Sequence, residues 1–202
     1  MTDQALIDCL DGVSYIVSPT GRIVSYGRQN WDRFAENNEA PDICEPDKIV
    51  GLDLLNVVQG DKVRDLYERL LNELLAGKQN GFVFGYRCDA PDLARQMRMA
   101  MTAIKVRTEV TGVLFQSIVL RSEVRPPLDI FRFRDMAEIF RRNAELPIVT
   151  LCSYCQTLEA PDNSDDPGEW CSAEDYYRRG GKSEVQISHG ICPTCYQGFD
   201  KI

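Results

Sequence analysis

Two cysteine pairs, Cys152-Ser-Tyr-Cys155 and Cys192-Pro-Thr-Cys195, constrain this 202-residue chain more than any other feature. A two-residue spacer lets both sulfurs of a tight turn reach one ion. Two such turns complete a tetrahedral shell of four thiolates, the closed geometry typical of structural zinc. Residues 156–191 separate the pairs, longer than a minimal ribbon requires, so this segment must fold against the site. Trp170, Tyr176 and Tyr177 are its expected small core. A module of this size cannot rely on apolar burial alone, and metal binding would supply much of its folding free energy. Four thiolates also suit an iron–sulfur cluster, which is the alternative. Neither pair is followed by histidine, so covalent haem attachment is not indicated. The chain's one histidine, His189, stands three residues before Cys192 and is expected to orient the site or cap its turn. His189 and Cys171 are the alternative ligands. A catalytic zinc would keep an open water position, and four cysteines close the shell.

The remaining cysteines, Cys9, Cys44, Cys88 and Cys171, are scattered. The N-terminus, MTDQALIDCLDGV, has no basic region leading into an apolar one, and no stretch approaches the roughly 20 apolar residues of a membrane span. A cytoplasmic location is the expectation, where thiols stay reduced and serve as ligands rather than disulfides. The formal net charge of −8 repels phosphate backbones and anionic lipid, which argues against nucleic-acid and membrane partners.

Ahead of the cysteines, short β-like runs alternate with helices. Val13–Val17 and Arg22–Tyr26 flank the turn Ser18-Pro19-Thr20-Gly21 and read as a hairpin. Asn30 is placed to cap a short helix starting at Trp31, and Glu36–Lys48 reads as loop. Asp61 caps an amphipathic helix whose apolar positions run from Val63 to Leu75, with Gly77 ending it. Three strands follow: Phe82–Cys88, closed by the turn Asp89-Ala90-Pro91-Asp92, then Gln96–Val106 with its alternating methionines, then Val113–Leu120. The fold class is α+β, a five-stranded antiparallel sheet with helices on one face, plus a small C-terminal metal-stabilised module. Pro126-Pro127 mark a boundary, after which Leu128–Asn143 reads as a helix with four arginines and an apolar stripe through Ile130, Phe133, Met136, Ala137 and Phe140.

From Ala5 to Arg121 the chain resembles a PAS domain, the sensory fold of bacterial signalling proteins, through LDGVSYIVSPTGRIVSYG, VGLDLLNVV and GVLFQSIVL. The tail, LCSYCQ…GEW…EDYY…SHGICPTC, is similar to a cysteine-rich element appended to PAS and receiver modules in such proteins. The resemblance implies a PAS-like sensory domain over 1–122, a linker helix over 123–146 and a four-cysteine metal-binding module over 147–202. It implies zinc on Cys152, Cys155, Cys192 and Cys195, and a cavity lined by Trp31, Phe34, Leu54, Leu66, Leu70, Phe84, Met99 and Phe115. Neither the flavin-binding NCRFLQ-like motif nor a histidine for cavity haem is present. No histidine-kinase box, phosphate-cradling glycine loop, GGDEF or EAL string follows. The chain is therefore expected to be a non-enzymatic signalling protein that senses a small-molecule ligand or a protein partner, with its linker helix relaying the signal or forming a homodimer. The alternative is a redox or metal sensor whose four cysteines are the switch.

Overall fold

The computed structural model describes residues 3–38, 41–132, 146–160 and 168–199. The first five strands, β1 (Val13–Val17), β2 (Ile23–Tyr26), β3 (Gly81–Arg87), β4 (Leu93–Val106) and β5 (Glu109–Val124), form one antiparallel sheet in the order β2-β1-β5-β4-β3. The first and last of these five strands therefore lie side by side, with Tyr15 opposite Phe115 and Val17 opposite Val113. The fold class is α+β, a five-stranded antiparallel sheet with helices, as the sequence predicts. Period-two alternation decides which side chains enter the core: Met97, Met99 and Met101 are buried, while Gln96, Arg98 and Thr102 are exposed and Ala100 is half-buried.

Helices α1 (Asp3–Asp8), α2 (Arg28–Glu36), α3 (Leu54–Val57) and α4 (Asp61–Leu75) accompany the sheet. On α4, Val63, Leu66, Leu70, Leu71 and Leu74 are buried, the helical stripe that the sequence predicts. Each such side chain removed from water contributes roughly 1.5–3 kcal/mol. The left-handed Gly77 (φ +69°) follows the last turn, a conformation glycine adopts without a Cβ penalty. Within the sheet Tyr15 stacks on Phe115 at 4.8 Å, and Tyr67 of α4 lies parallel to the same ring at 6.4 Å, joining helix to sheet.

Several local expectations are corrected. The second helix starts at Arg28 rather than Trp31. Its N-cap is Gly27, and Asn30 lies inside the helix, donating instead to the Leu10 carbonyl at 2.8 Å. A long-range acceptor thus competes successfully with local capping. The segment after α2 is not plain loop, because Pro41–Cys44 and Pro46–Lys48 form 3₁₀ turns. Strands β4 and β5 are longer than their apolar cores, running into polar sequence that alternation alone does not mark as strand. The helix expected from Leu128 does not begin there: Asp129–Phe131 is a 3₁₀ turn flanked by extended Leu128 and Arg132. Phe133, Met136, Ala137 and Phe140 of that expected helix lie outside the described residues.

Two compact units make up the structure. The first comprises Met1–Gln59, Arg64–Gly85 and Met97–Leu120; the second comprises Gly60–Val63, Tyr86–Gln96 and Arg121–Ile202. The second unit holds a four-stranded sheet of order β8-β7-β6-β9: β6 (Ile148–Cys152), β7 (Leu158–Glu159), β8 (Trp170–Cys171) and β9 (Gln186–Gly190). Two short helices complete it, α5 (Ala173–Arg178) and α6 (Pro193–Phe199). Its core is largely aliphatic (Ile130, Val149, Leu151, Leu158 and Val185) around the buried Tyr176. Tyr177 packs at the edge, its hydroxyl accepting from the Ile130 amide at 3.0 Å, while Trp170 is only partly buried. Among the described residues no helix is long and apolar enough to cross a membrane.

Candidate metal centre

Strand pairing brings the two cysteine pairs together. β6 and β9 run parallel, with Ile148 opposite Gln186 and Cys152 opposite Gly190. Parallel neighbours end at the same edge of a sheet, so the turn after β6 and the turn after β9 leave side by side. The Ser153 amide then donates to the Gly190 carbonyl at 2.9 Å, tying one turn to the other. Within the first turn, the Gln156 amide reaches the Cys152 carbonyl at 2.9 Å and the Cys152 amide reaches the Thr157 carbonyl at 2.8 Å. The second turn passes directly into α6, where Pro193 occupies the helix start, a position that needs no amide donor. Cys195 lies in that first helical turn, and Phe199 at the far end packs its ring on Tyr154 at 4.3 Å.

The Sγ atoms of Cys152, Cys155, Cys192 and Cys195 all lie within 4.8 Å of one another. A tetrahedral ion bonded to sulfur at roughly 2.3 Å has sulfur–sulfur edges of roughly 3.8 Å, so the four residues fit one metal ion with little adjustment. The Cys155–Cys192 edge is 3.6 Å. Backbone amides already point at sulfur, from Cys192 to Cys152 Sγ and from Cys195 to Cys192 Sγ, both at 3.4 Å. Such donors stabilise thiolates and orient ligands. The hydrogen bond from Cys152, assisted by Thr157 at 3.1 Å, holds Cys155 down to about 4, making it the cluster's anionic acceptor. The same bond keeps the Cys152 proton in place and pushes its thiol far up, and burial pushes Cys195 up to about 12. Four thiols crowded together cannot all ionise by themselves; a divalent cation would let them do so. Cys152 and Cys192 are buried, whereas Cys155 and Cys195 are partly exposed.

The alternative ligands stand apart from this group. His189 faces Leu151 across the β6–β9 ladder, and burial lowers its pKa. Cys171 pairs with Leu158 on β8 and belongs to the module's apolar core, which raises its thiol pKa. Of the expected cavity residues, Leu54, Leu66, Leu70, Phe84, Met99 and Phe115 are buried, and Trp31 and Phe34 are partly so. Trp31 Nε1 donates to the Ile43 carbonyl at 2.9 Å, and its ring meets Tyr26 edge-on at 5.5 Å. Two buried oxygens beside it, Tyr26 Oη and Asp32 Oδ1, have no hydrogen-bond partner among the described residues. Burial and the nearby Asp32 carboxylate raise the Tyr26 pKa.

Sequence reasoning missed a polar hub in the second unit. The segment Asp89-Ala90-Pro91-Asp92 reads as an ordinary turn, yet the Asp89 side chain is completely buried. It accepts from Arg125 Nη1 at 2.9 Å and the Arg95 amide at 3.0 Å, and it pairs with the Arg87 guanidinium. Arg125 also donates to the Ala90 carbonyl at 3.1 Å and lies 4.6 Å over the Phe131 ring. Nothing in the sequence around Asp89 or Arg125 marks the two as partners.

No family model matches the chain, and no curated protein matches it. Solved structures do. The PAS domain of Bordetella pertussis BvgS is 16% identical over 69% of this chain and 89% of that one, with a TM-score of 0.42. A sensory box of a Vibrio cholerae sensor histidine kinase is 15% identical over 58% and 88%, with a TM-score of 0.39. A PAS domain from Desulfitobacterium hafniense is 13% identical over 60% and 99%, with a TM-score of 0.33.

Proposed function

We propose that the chain is a non-enzymatic sensory protein of bacterial signalling, in which a PAS-like domain receives a small-molecule ligand or a protein partner and a structural zinc ion holds the C-terminal module. The observation that carries the zinc reading is the closed set of four sulfurs within 4.8 Å, supplied by two turns at one sheet edge. Zinc in such a shell supplies a cross-link and leaves no coordination position for water. For the sensory part, the fold supplies the frame, and Tyr26 Oη and Asp32 Oδ1, without a hydrogen-bond partner among the described residues, favour a small polar ligand with a donor for the carboxylate. The acidic net charge speaks for a protein or small-molecule partner rather than nucleic acid or membrane, in the cytoplasm. A homodimer is the simplest assembly through which it would relay a signal.

Metal analysis with a visible spectrum, on protein purified anaerobically without added metal, is the test. One zinc per chain and no colour is the expected result. Iron with labile sulfide would replace the zinc reading by an iron–sulfur one. The partial exposure of Cys155 and Cys195 favours a second reading, a redox switch in which oxidation of the thiolates releases the metal. Zinc release on mild peroxide, measured with a chromogenic chelator, would select it; retention of zinc would leave the site structural.

A further inference from the structure

Gln156, immediately after the first cysteine pair, has a left-handed backbone (φ +56°). That conformation is strained for a side-chain-bearing residue, and glycine or asparagine would adopt it more easily. Something must favour glutamine there, and the side chain answers: Gln156 Oε1 accepts the Asp89 backbone amide at 2.7 Å. Two residues earlier in the turn, the Tyr154 carbonyl accepts the Arg87 amide at 2.6 Å. The first cysteine turn is thus bonded twice to the β3–β4 hairpin, once through its main chain and once through a strained glutamine. On the hairpin side, the Asp89 carboxylate, held by Arg125 and the Arg95 amide, fixes the orientation of the amide that Gln156 receives.

We propose that Gln156 and Asp89 are positioning residues of the metal centre that make order in the β3–β4 hairpin, Tyr86–Gln96, depend on metal loading. This rests on the metal reading above. Cys152 and Cys155 flank Ser153 and Tyr154 and directly precede Gln156, so an ion bonded to both sulfurs fixes the turn's backbone and holds Gln156 in its left-handed conformation. Without the ion, the strain at Gln156 is opposed by its bond to Asp89 and by the turn's own hydrogen bonds, those to the Cys152 carbonyl and from the Arg87 amide among them, and the turn's hold on the hairpin weakens.

Amide-resolved hydrogen exchange on the full chain, zinc-loaded against chelator-treated, tests this in wild type, Gln156→Gly and Asp89→Asn. Glycine removes both the strain and the side-chain acceptor, so Gln156→Gly still binds one zinc and still protects Cys152–Thr157 on loading. In wild type zinc slows exchange of the Asp89 amide by roughly tenfold or more, whereas in Gln156→Gly the effect falls below roughly twofold. Asp89→Asn, which keeps the shape of the hub, shows an intermediate loss. Zinc-dependent protection of the cysteine turn without any change at Asp89 in wild type overturns the coupling alone, as does full protection of Asp89 in Gln156→Gly. No zinc-dependent protection of the cysteine turn itself overturns the metal reading, and the coupling with it.

Discussion

Asp89→Ala removes a carboxylate with no solvent exposure, and the structure allows its cost to be worked out. Truncating one partner of a buried ion pair costs about 3–5 kcal/mol, because the other charge stays buried and unpaired. Two partners are affected unequally. Arg87 is 41% exposed and recovers its solvation from water, so it adds little. Arg125 is only 11% exposed, but it retains the Ala90 carbonyl and the Phe131 ring. The Arg95 amide loses its acceptor inside the protein. These terms place the loss at the lower end, about 3 kcal/mol, and Asp89→Asn at about 2 kcal/mol because an amide oxygen remains to accept from Arg95. Glu123→Ala is the control: its pair with Arg121 is exposed on both sides, 71% and 57%, and should change stability by no more than about 0.5 kcal/mol. Urea unfolding of the metal-loaded chain, followed by far-ultraviolet circular dichroism and compared at the midpoint, reads the difference. A loss for Asp89→Ala below about 1 kcal/mol, or one no larger than the control's, would refute the assignment of this buried pair as a structural hub.

Cys152→Ser and Cys192→Ser should each abolish stoichiometric metal after gel filtration, measured by plasma mass spectrometry, whereas Cys171→Ser should keep it because that thiol belongs to the apolar core. Gly181→Ala should destabilise the module by about 1–3 kcal/mol in thermal unfolding, since a Cβ there collides with the Tyr176 ring, whose hydroxyl is held by the Lys182 main chain on both sides. Wild-type stability at saturating zinc should fall with acid more steeply than that of His189→Asn. Burial lowers the His189 pKa, so the unfolded chain takes up its proton first: this stability is present above the ordinary value of 6.5 and is lost as pH falls through the folded value. Identical pH slopes in the two proteins would remove His189 as the cause.

Much of the architecture was written locally. Alternation of Met97, Met99 and Met101 with polar neighbours determined a strand, and the spacing from Val63 to Leu74 determined a helix, because backbone geometry sets both periods within a few residues. The spacer inside each CxxC likewise determined two turns whose paired sulfurs can face one ion. The sequence alone could not place those turns together, since that depends on β6 and β9 pairing in parallel across residues 153–185. Nor could it show that Asn30 bonds Leu10 rather than capping its helix, or that Asp89 meets Arg125 and Gln156. A buried polar partner leaves no periodic trace: lone Asp, Gln and Arg residues in turns look like solvated surface until the fold removes the water around them. Apolar pattern and turn spacing decide which elements form, and tertiary structure decides which polar groups must satisfy one another once those elements pack.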